Sequence, residues 1–233
     1  MQARLVYVVA KAPRVGAVKT RLCPPLRPEQ AVDLYRGFLL GSLELAGRVR
    51  DAGVRAICPE AGMALELAAL VPSHCELASQ TQPGLGAALE ECFQVGLGEG
   101  RRAVAVIASD NPTLPPDLIE EAFDRLERGQ DDVVLGPTDD GGYYLVAARG
   151  VHACLFREMT WSTDQVLSET LRRCAAAGLR AGLVQGWYDV DTPDALVDLE
   201  RKLLALPADC ARHTRTALQG LGDWERWTTC ASP

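Results

Sequence analysis

Apolar positions along the chain fall into short unbroken runs separated by amphipathic stretches, a pattern that predicts strands alternating with helices. Runs at 4–10, 54–58, 75–78, 103–108, 132–137, 143–148 and 180–184 read as strands. The run at 103–108 organises the rest. Six consecutive apolar residues, rich in β-branched types and too few for a helix, suit a strand covered on both faces. Pro112 and Thr113 stop it, leaving Asp110 at its carboxyl end. In open α/β sheets the ligand crevice lies there, although Asp, Asn, Pro and Thr also form ordinary turns.

The longest helix is predicted over 28–50, where Ala31, Leu34, Tyr35, Phe38, Leu39, Leu45, Ala46 and Val49 recur at spacings of three and four. That stripe reads as core. Further helices are predicted over 61–70, 87–97 and 115–128, the last with proline at its start and Asp117 in its first turn. Ser162 and Gln165 are spaced as a capping box for another, and Thr192 with Pro193 opens the last. Asp140-Gly141 between two strand-like runs signals a hairpin. Beyond Pro207 the pattern degrades, which predicts one α/β domain over 1–206 and a peripheral tail over 207–233, with Trp224 and Trp227 as packing anchors.

With 233 residues, 48% of them hydrophobic, the chain can bury a sizeable core. A net charge of −7 argues against nucleic acid or a membrane surface as partner, and 6% aromatic residues leave few stacking platforms. Eight cysteines are scattered without a CxxC pair or a histidine at ligand spacing, so neither a zinc site nor a disulfide framework is indicated. The apolar run at 5–10 is too short for a signal peptide or a membrane span. A reducing cytoplasm is the expected home.

Against this acidity the segment 11–22 stands out, because it carries Lys11, Arg14, Lys19 and Arg21 and no acidic residue. A basic loop after the first strand suggests an anion site, with Gly16 allowing close backbone approach to a phosphate; a solvated loop is the plain alternative. It is not a Walker loop, since no glycine immediately precedes Lys19. Gly84 and Gly86 open the helix at 87–97 and suit either backbone N–H groups turned to a ligand or a plain connection. Asp110, Asp189 and Asp191 each follow a strand or connecting segment. Carboxylates facing a basic loop suit a nucleotide diphosphate, because a hard cation such as Mg²⁺ takes one or two carboxylates plus phosphate oxygens.

Five ordered motifs carry a resemblance over most of residues 5–200: Ala10-Lys11-Ala12-Pro13 with Gly16 and Lys19-Thr20-Arg21-Leu22; Ser109-Asp110-Asn111-Pro112-Thr113-Leu114; Leu135-Gly136-Pro137 with Asp140-Gly141-Gly142-Tyr143-Tyr144-Leu145; Trp161-Ser162-Thr163; and Asp189-Val190-Asp191-Thr192-Pro193. The chain resembles the DUF2064 group of GT-A-type transferases, related to nucleotidyltransferases. The resemblance implies a GT-A-like three-layer αβα sandwich with a mainly parallel mixed sheet. It places Lys11, Pro13, Gly16, Lys19, Thr20 and Arg21, with Gly84 and Gly86, near nucleotide phosphates. Asp110 and Asp191 are then metal ligands for Mg²⁺ or Mn²⁺, and Asp110, Asp189, Asp191 and Lys19 the catalytic set. Asp140, Gly141, Gly142 and Tyr143, with Trp161 and Ser162, face the sugar or acceptor. Family members usually carry Gly-Asp-Leu-Gly where this chain has Pro83-Gly84-Leu85-Gly86.

The expected activity is glycosyl transfer from a nucleotide sugar to a small acceptor. Nucleotidyl transfer from an NTP is the close alternative, and nucleotide binding without turnover is a third.

Overall fold

The computed structural model describes residues 2–59, 64–78 and 80–222. Trp224 and Trp227, and the start of the helix expected over 61–70, lie outside the described residues. Within them the strands are β1 (Arg4–Val9), β2 (Ala52–Ile57), β3 (Glu76–Ala78), β4 (Ala103–Ile107), β5 (Val133–Pro137), β6 (Tyr143–Ala148) and β7 (Ala181–Leu183). The helices are α1 (Pro28–Ala46), α2 (Ala64–Ala68), α3 (Leu85–Gly98), α4 (Pro116–Glu127), α5 (Val166–Ala176), α6 (Pro193–Ala205) and α7 (Arg212–Gln219). One sheet forms in the order β3-β2-β1-β4-β6-β5-β7. β6 alone among these strands runs antiparallel to its neighbours, as the second arm of the expected hairpin, and the other pairings are parallel.

Side-chain alternation along β4 divides the core. Ala103, Ala105 and Ile107 face one layer with Leu39 and Leu43 of α1 and Ile119 and Phe123 of α4. Val104 and Val106 face the other, with Leu89 and Phe93 of α3 and Cys174 of α5. Both faces being covered explains why β4 reads as an unbroken apolar run. A third cluster lies outside α1. There Leu22 and Leu26 meet Leu34 and Phe38 of α1, Val190, and Leu196, Leu199 and Leu203 of α6. α7 packs on α1 at Gly37, where a β-carbon would meet the His213 carbonyl oxygen at 2.9 Å.

Two local expectations are resolved at helix starts. Thr192 accepts a hydrogen bond from Ala195 N–H at 3.3 Å and Pro193 is the first residue of α6, as the sequence predicts. The capping box expected at Ser162 and Gln165 does not form. Gln165 is itself the cap residue of α5 and makes no side-chain cap bond, while Ser162 has a left-handed backbone (φ 63°) that turns it out of the helix. Among the described residues no helix is long and apolar enough to cross a membrane.

Candidate functional site

β1 and β4 run in parallel register, Val8 beside Ile107, so the segments that follow them leave the sheet at the same edge. β5 ends and antiparallel β6 begins at that edge too, which brings the 138–142 turn beside Asp110. A cleft of about 360 Å³ opens there. Lys11, Lys19, Asp110, Asp140, Gly142, Tyr143, Trp161, Ser162, Asp189 and Asp191 all line it.

Two acids are set by one buried valine. Val190 is fully buried in the third cluster, and its N–H donates to the Asp110 carbonyl at 3.1 Å, which stitches this segment to the end of β4. Asp189 and Asp191 emerge on either side of that peg into the cleft. Leu22, seated in the same cluster, ends the short 3₁₀ turn Thr20–Leu22 that follows Lys19. Lys19 itself takes a left-handed conformation (φ 48°).

That conformation delivers the Lys19 ammonium between two carboxylates, 2.6 Å from Asp191 Oδ1 and 3.1 Å from Asp110 Oδ2. The lysine side chain is only 4% exposed, against 29% for Asp110 and 40% for Asp191. Its ammonium also lies 5.6 Å from the centre of the Phe38 ring. Burial opposes the lysine charge, but Asp110 and Asp191 outweigh it and its pKa is raised.

Asp189 has no such cation. Burial first, and then the neighbouring Asp110 charge, push its carboxyl up to about 7. Asn111 partly offsets this by donating one N–H to Asp189 Oδ1 at 2.5 Å and the other to the Tyr188 carbonyl at 2.9 Å. From α1, the Tyr35 hydroxyl accepts from Lys11 N–H at 2.7 Å and stands 3.3 Å from Ser109 Oγ, bracing the ends of β1 and β4. Asp140 Oδ1 accepts from Thr138 Oγ1 at 2.6 Å and from Gly142 N–H at 3.1 Å, so one oxygen of this acid shapes the hairpin turn.

Several expected residues stand elsewhere. Pro13, Gly16, Thr20 and Arg21 do not line the cleft, and Arg14 is paired with Glu66. Gly141 lies behind it, with φ 84° and a β-carbon position only 2.2 Å from the Asp164 carbonyl oxygen. Gly84 and Gly86 line a neighbouring depression that shares Leu85 and Trp161 with the cleft. At Gly84 the backbone (φ 99°, ψ 153°) occupies a region essentially reserved for glycine, so the aspartate that the family resemblance leads one to expect there would be strained. Sequence alone gives no site role to Tyr35, Asn111 or Thr138. Asn111 adjoins Asp110 and Thr138 adjoins the Asp139-Asp140 turn, which are the signals that point to them.

The donor set fits a hard divalent cation. Among the described residues no three acidic, histidine or cysteine side chains already surround one point. Mg²⁺ needs only one or two, with phosphate oxygens completing its shell. Asp110 and Asp191 present carboxylate oxygens on both sides of a cation, and the Lys19 ammonium marks that position.

A family model for uncharacterized proteins conserved in bacteria, DUF2064, matches residues 46–163. The chain belongs to that family. A protein of Desulfovibrio desulfuricans G20, described as a candidate nucleotide-diphospho-sugar transferase, is 26% identical to this DUF2064 protein. The match covers 97% of this chain and 98% of that one, with a TM-score of 0.87. A CMP:2-keto-3-deoxy-manno-octonic acid synthetase solved with CTP is 14% identical over 87% of this chain and 98% of its own, with a TM-score of 0.55. The 4-diphosphocytidyl-2C-methyl-D-erythritol synthase of Anaerococcus prevotii DSM 20548 is 11% identical over 87% and 97%, with a TM-score of 0.56. The last two share the fold alone. This DUF2064 chain therefore has the nucleotide-diphospho-sugar transferase fold, related to that of nucleotidyltransferases. No curated protein matches it in sequence.

Proposed function

We propose that this DUF2064 protein transfers a glycosyl group from a nucleotide-diphosphate sugar to the hydroxyl of a small acceptor, with Mg²⁺ or Mn²⁺. The observation that carries this reading is the charge of the cleft. Asp110, Asp140, Asp189 and Asp191 line it with two cations, Lys11 and Lys19, and Lys19 is committed to two of the acids. A diphosphate entering so acidic a site needs a metal ion. A departing pyrophosphate would call for several uncommitted basic side chains, whereas Arg14 engages Glu66 and Arg21 stands off the cleft. The balance favours sugar transfer over nucleotidyl transfer.

Asp110 and Asp191 would hold the ion, which supplies positive charge against the departing nucleoside diphosphate. Lys11, exposed at the mouth, adds charge on the same side. Trp161 packs edge-on against Tyr143, ring centres 6.4 Å apart, and gives the sugar an aromatic wall. Asp189 accepts the acceptor's hydroxyl proton through Oδ2, Oδ1 being held by Asn111. As that proton leaves, the acceptor oxygen bonds to the anomeric carbon and the bond from that carbon to the diphosphate oxygen breaks.

Incubation with a panel of nucleotide sugars and, separately, of NTPs, each with Mg²⁺ or Mn²⁺, tests the proposal. Release of free nucleoside diphosphate with loss of the sugar donor is expected. Pyrophosphate release from an NTP would instead establish nucleotidyl transfer, and calorimetric nucleotide binding without turnover would reduce the protein to a binding module.

A further inference from the structure

We infer that Lys19 is the resident counter-ion of the metal site and keeps a divalent cation out until a diphosphate offers the lysine another partner. The inference rests on the reading of Asp110 and Asp191 as the metal-holding pair. Three observations carry it. First, the ammonium lies within hydrogen-bond distance of both carboxylates at once, and so occupies the space between the two groups that would hold the ion. Second, its place is built rather than incidental. The residue is held in a left-handed backbone, its side chain is almost wholly buried against the Phe38 ring, and Leu22 anchors the turn that follows. Third, the chain holds three lysines against 21 arginines, and two of the three, Lys11 and Lys19, line this cleft. An ammonium is a compact point charge, closer to a metal ion in shape and reach than the planar guanidinium used for most other ion pairs among the described residues.

Two cations cannot both sit between Asp110 and Asp191 at these distances. A metal ion arriving alone must therefore displace a buried lysine that is paired with two carboxylates. A diphosphate in the cleft changes this, because its oxygens can take the ammonium while the carboxylates pass to the metal. Metal and diphosphate then bind with positive coupling, each raising the affinity of the other by the same factor.

Electron paramagnetic resonance of free Mn²⁺ tests the first half on the full-length protein. Lys19→Met should bind Mn²⁺ alone at least tenfold more tightly than the unsubstituted protein, and adding Asp191→Asn to that variant should abolish the gain. The second half is read on the unsubstituted protein with ¹³Cε-labelled lysine, in which three resonances are expected. Mg²⁺ alone should leave the Lys19 resonance in place; Mg²⁺ with inorganic pyrophosphate should shift it, and Lys202 should not respond. Equal Mn²⁺ affinity of the two proteins, or a full Lys19 shift with Mg²⁺ alone, would overturn the inference while leaving the metal site standing. Failure of Mn²⁺ to bind either protein, even with pyrophosphate, would overturn both. Should Lys19→Met not fold, the lysine resonances decide the matter on the unsubstituted protein.

Discussion

The N–H of Val190 donates to the carbonyl of Asp110 at 3.1 Å, a backbone bond between the segment carrying two acids and the strand end carrying the third. Val190 has no exposed surface and packs among Leu22, Phe38 and Leu196. Truncating it to alanine removes two methyl groups from a filled site, at a cost of about 1–3 kcal/mol. Val190→Ala is accordingly expected to lower the urea midpoint and, if Asp110 and Asp191 hold a metal as proposed, to weaken that binding, although Val190 does not line the cleft. Equilibrium unfolding together with calorimetry checks both effects.

Asp189 supplies a pH dependence with a definite sign. Its unfolded pKa is ~3.9, and in the folded protein burial and the Asp110 charge raise it to about 7. Between those values the native state keeps a proton that the unfolded chain has released. Stability of the metal-free protein should therefore fall as pH rises through this window and level off above it. Asp189→Asn removes the ionisation while keeping the bond from Asn111, so its urea midpoint should exceed that of the unsubstituted protein at pH 8 and approach it at pH 4.5, both in EDTA.

Asn111 is expected to matter for a different reason. Replacing it by alanine leaves Asp189 Oδ1 and the Tyr188 carbonyl without their donors. Loss of a donor to a buried acceptor costs about 1–3 kcal/mol. Asn111→Ala should show that loss in denaturant unfolding, and a larger loss at pH 8 than at pH 5, because the ionised carboxylate needs the donor more.

Gly141 and Gly16 both have positive φ but should respond unequally to alanine. At Gly16 nothing lies within 4 Å of the β-carbon position, so only the backbone penalty of about 1–2 kcal/mol applies. At Gly141 the new carbon would strike the Asp164 backbone and disturb the turn whose carbonyl accepts Leu167 N–H at 2.9 Å. Thermal unfolding of the two variants should separate them clearly, with Gly141→Ala the more damaged and with altered Trp161 fluorescence as the neighbouring wall shifts.

Tyr35→Phe isolates the brace between β1 and β4. The hydroxyl that meets Lys11 N–H and Ser109 disappears while the buried ring remains. About 1 kcal/mol of stability should be lost, and amide exchange at Lys11 should accelerate.

The strands were legible because burial on both faces leaves a continuous apolar signature, as at β4, and the antiparallel turn of β6 was legible because Asp140-Gly141 is hairpin chemistry. The aspartates at strand ends could be placed on one edge for the same reason. What the sequence does not encode locally is charge pairing across the fold. Arg14 and Arg21 look like Lys19 on the page, yet Arg14 finds Glu66, Arg21 stands off the cleft, and Lys19 meets an acid 172 positions away. Ser162 misleads for a related reason. Its spacing to Gln165 suits a cap, but the contact between Gly141 and the Asp164 backbone sets the path of the chain there. Tyr35 sits correctly in the apolar stripe of α1, and only its hydroxyl tip, invisible to periodicity, reaches the cleft edge.

The hairpin between β5 and β6 has an evolutionary corollary. Its tip is tied to itself through Asp140, Thr138 and Gly142, and to α5 through the Gly141 carbonyl, which accepts Leu167 N–H. The exposed Asp139 is free to vary, whereas a change at Gly141 must move the turn and the start of α5 together. New shapes for this rim of the cleft are accordingly to be sought in paired changes at the 138–142 turn and the first residues of α5, not in the turn alone.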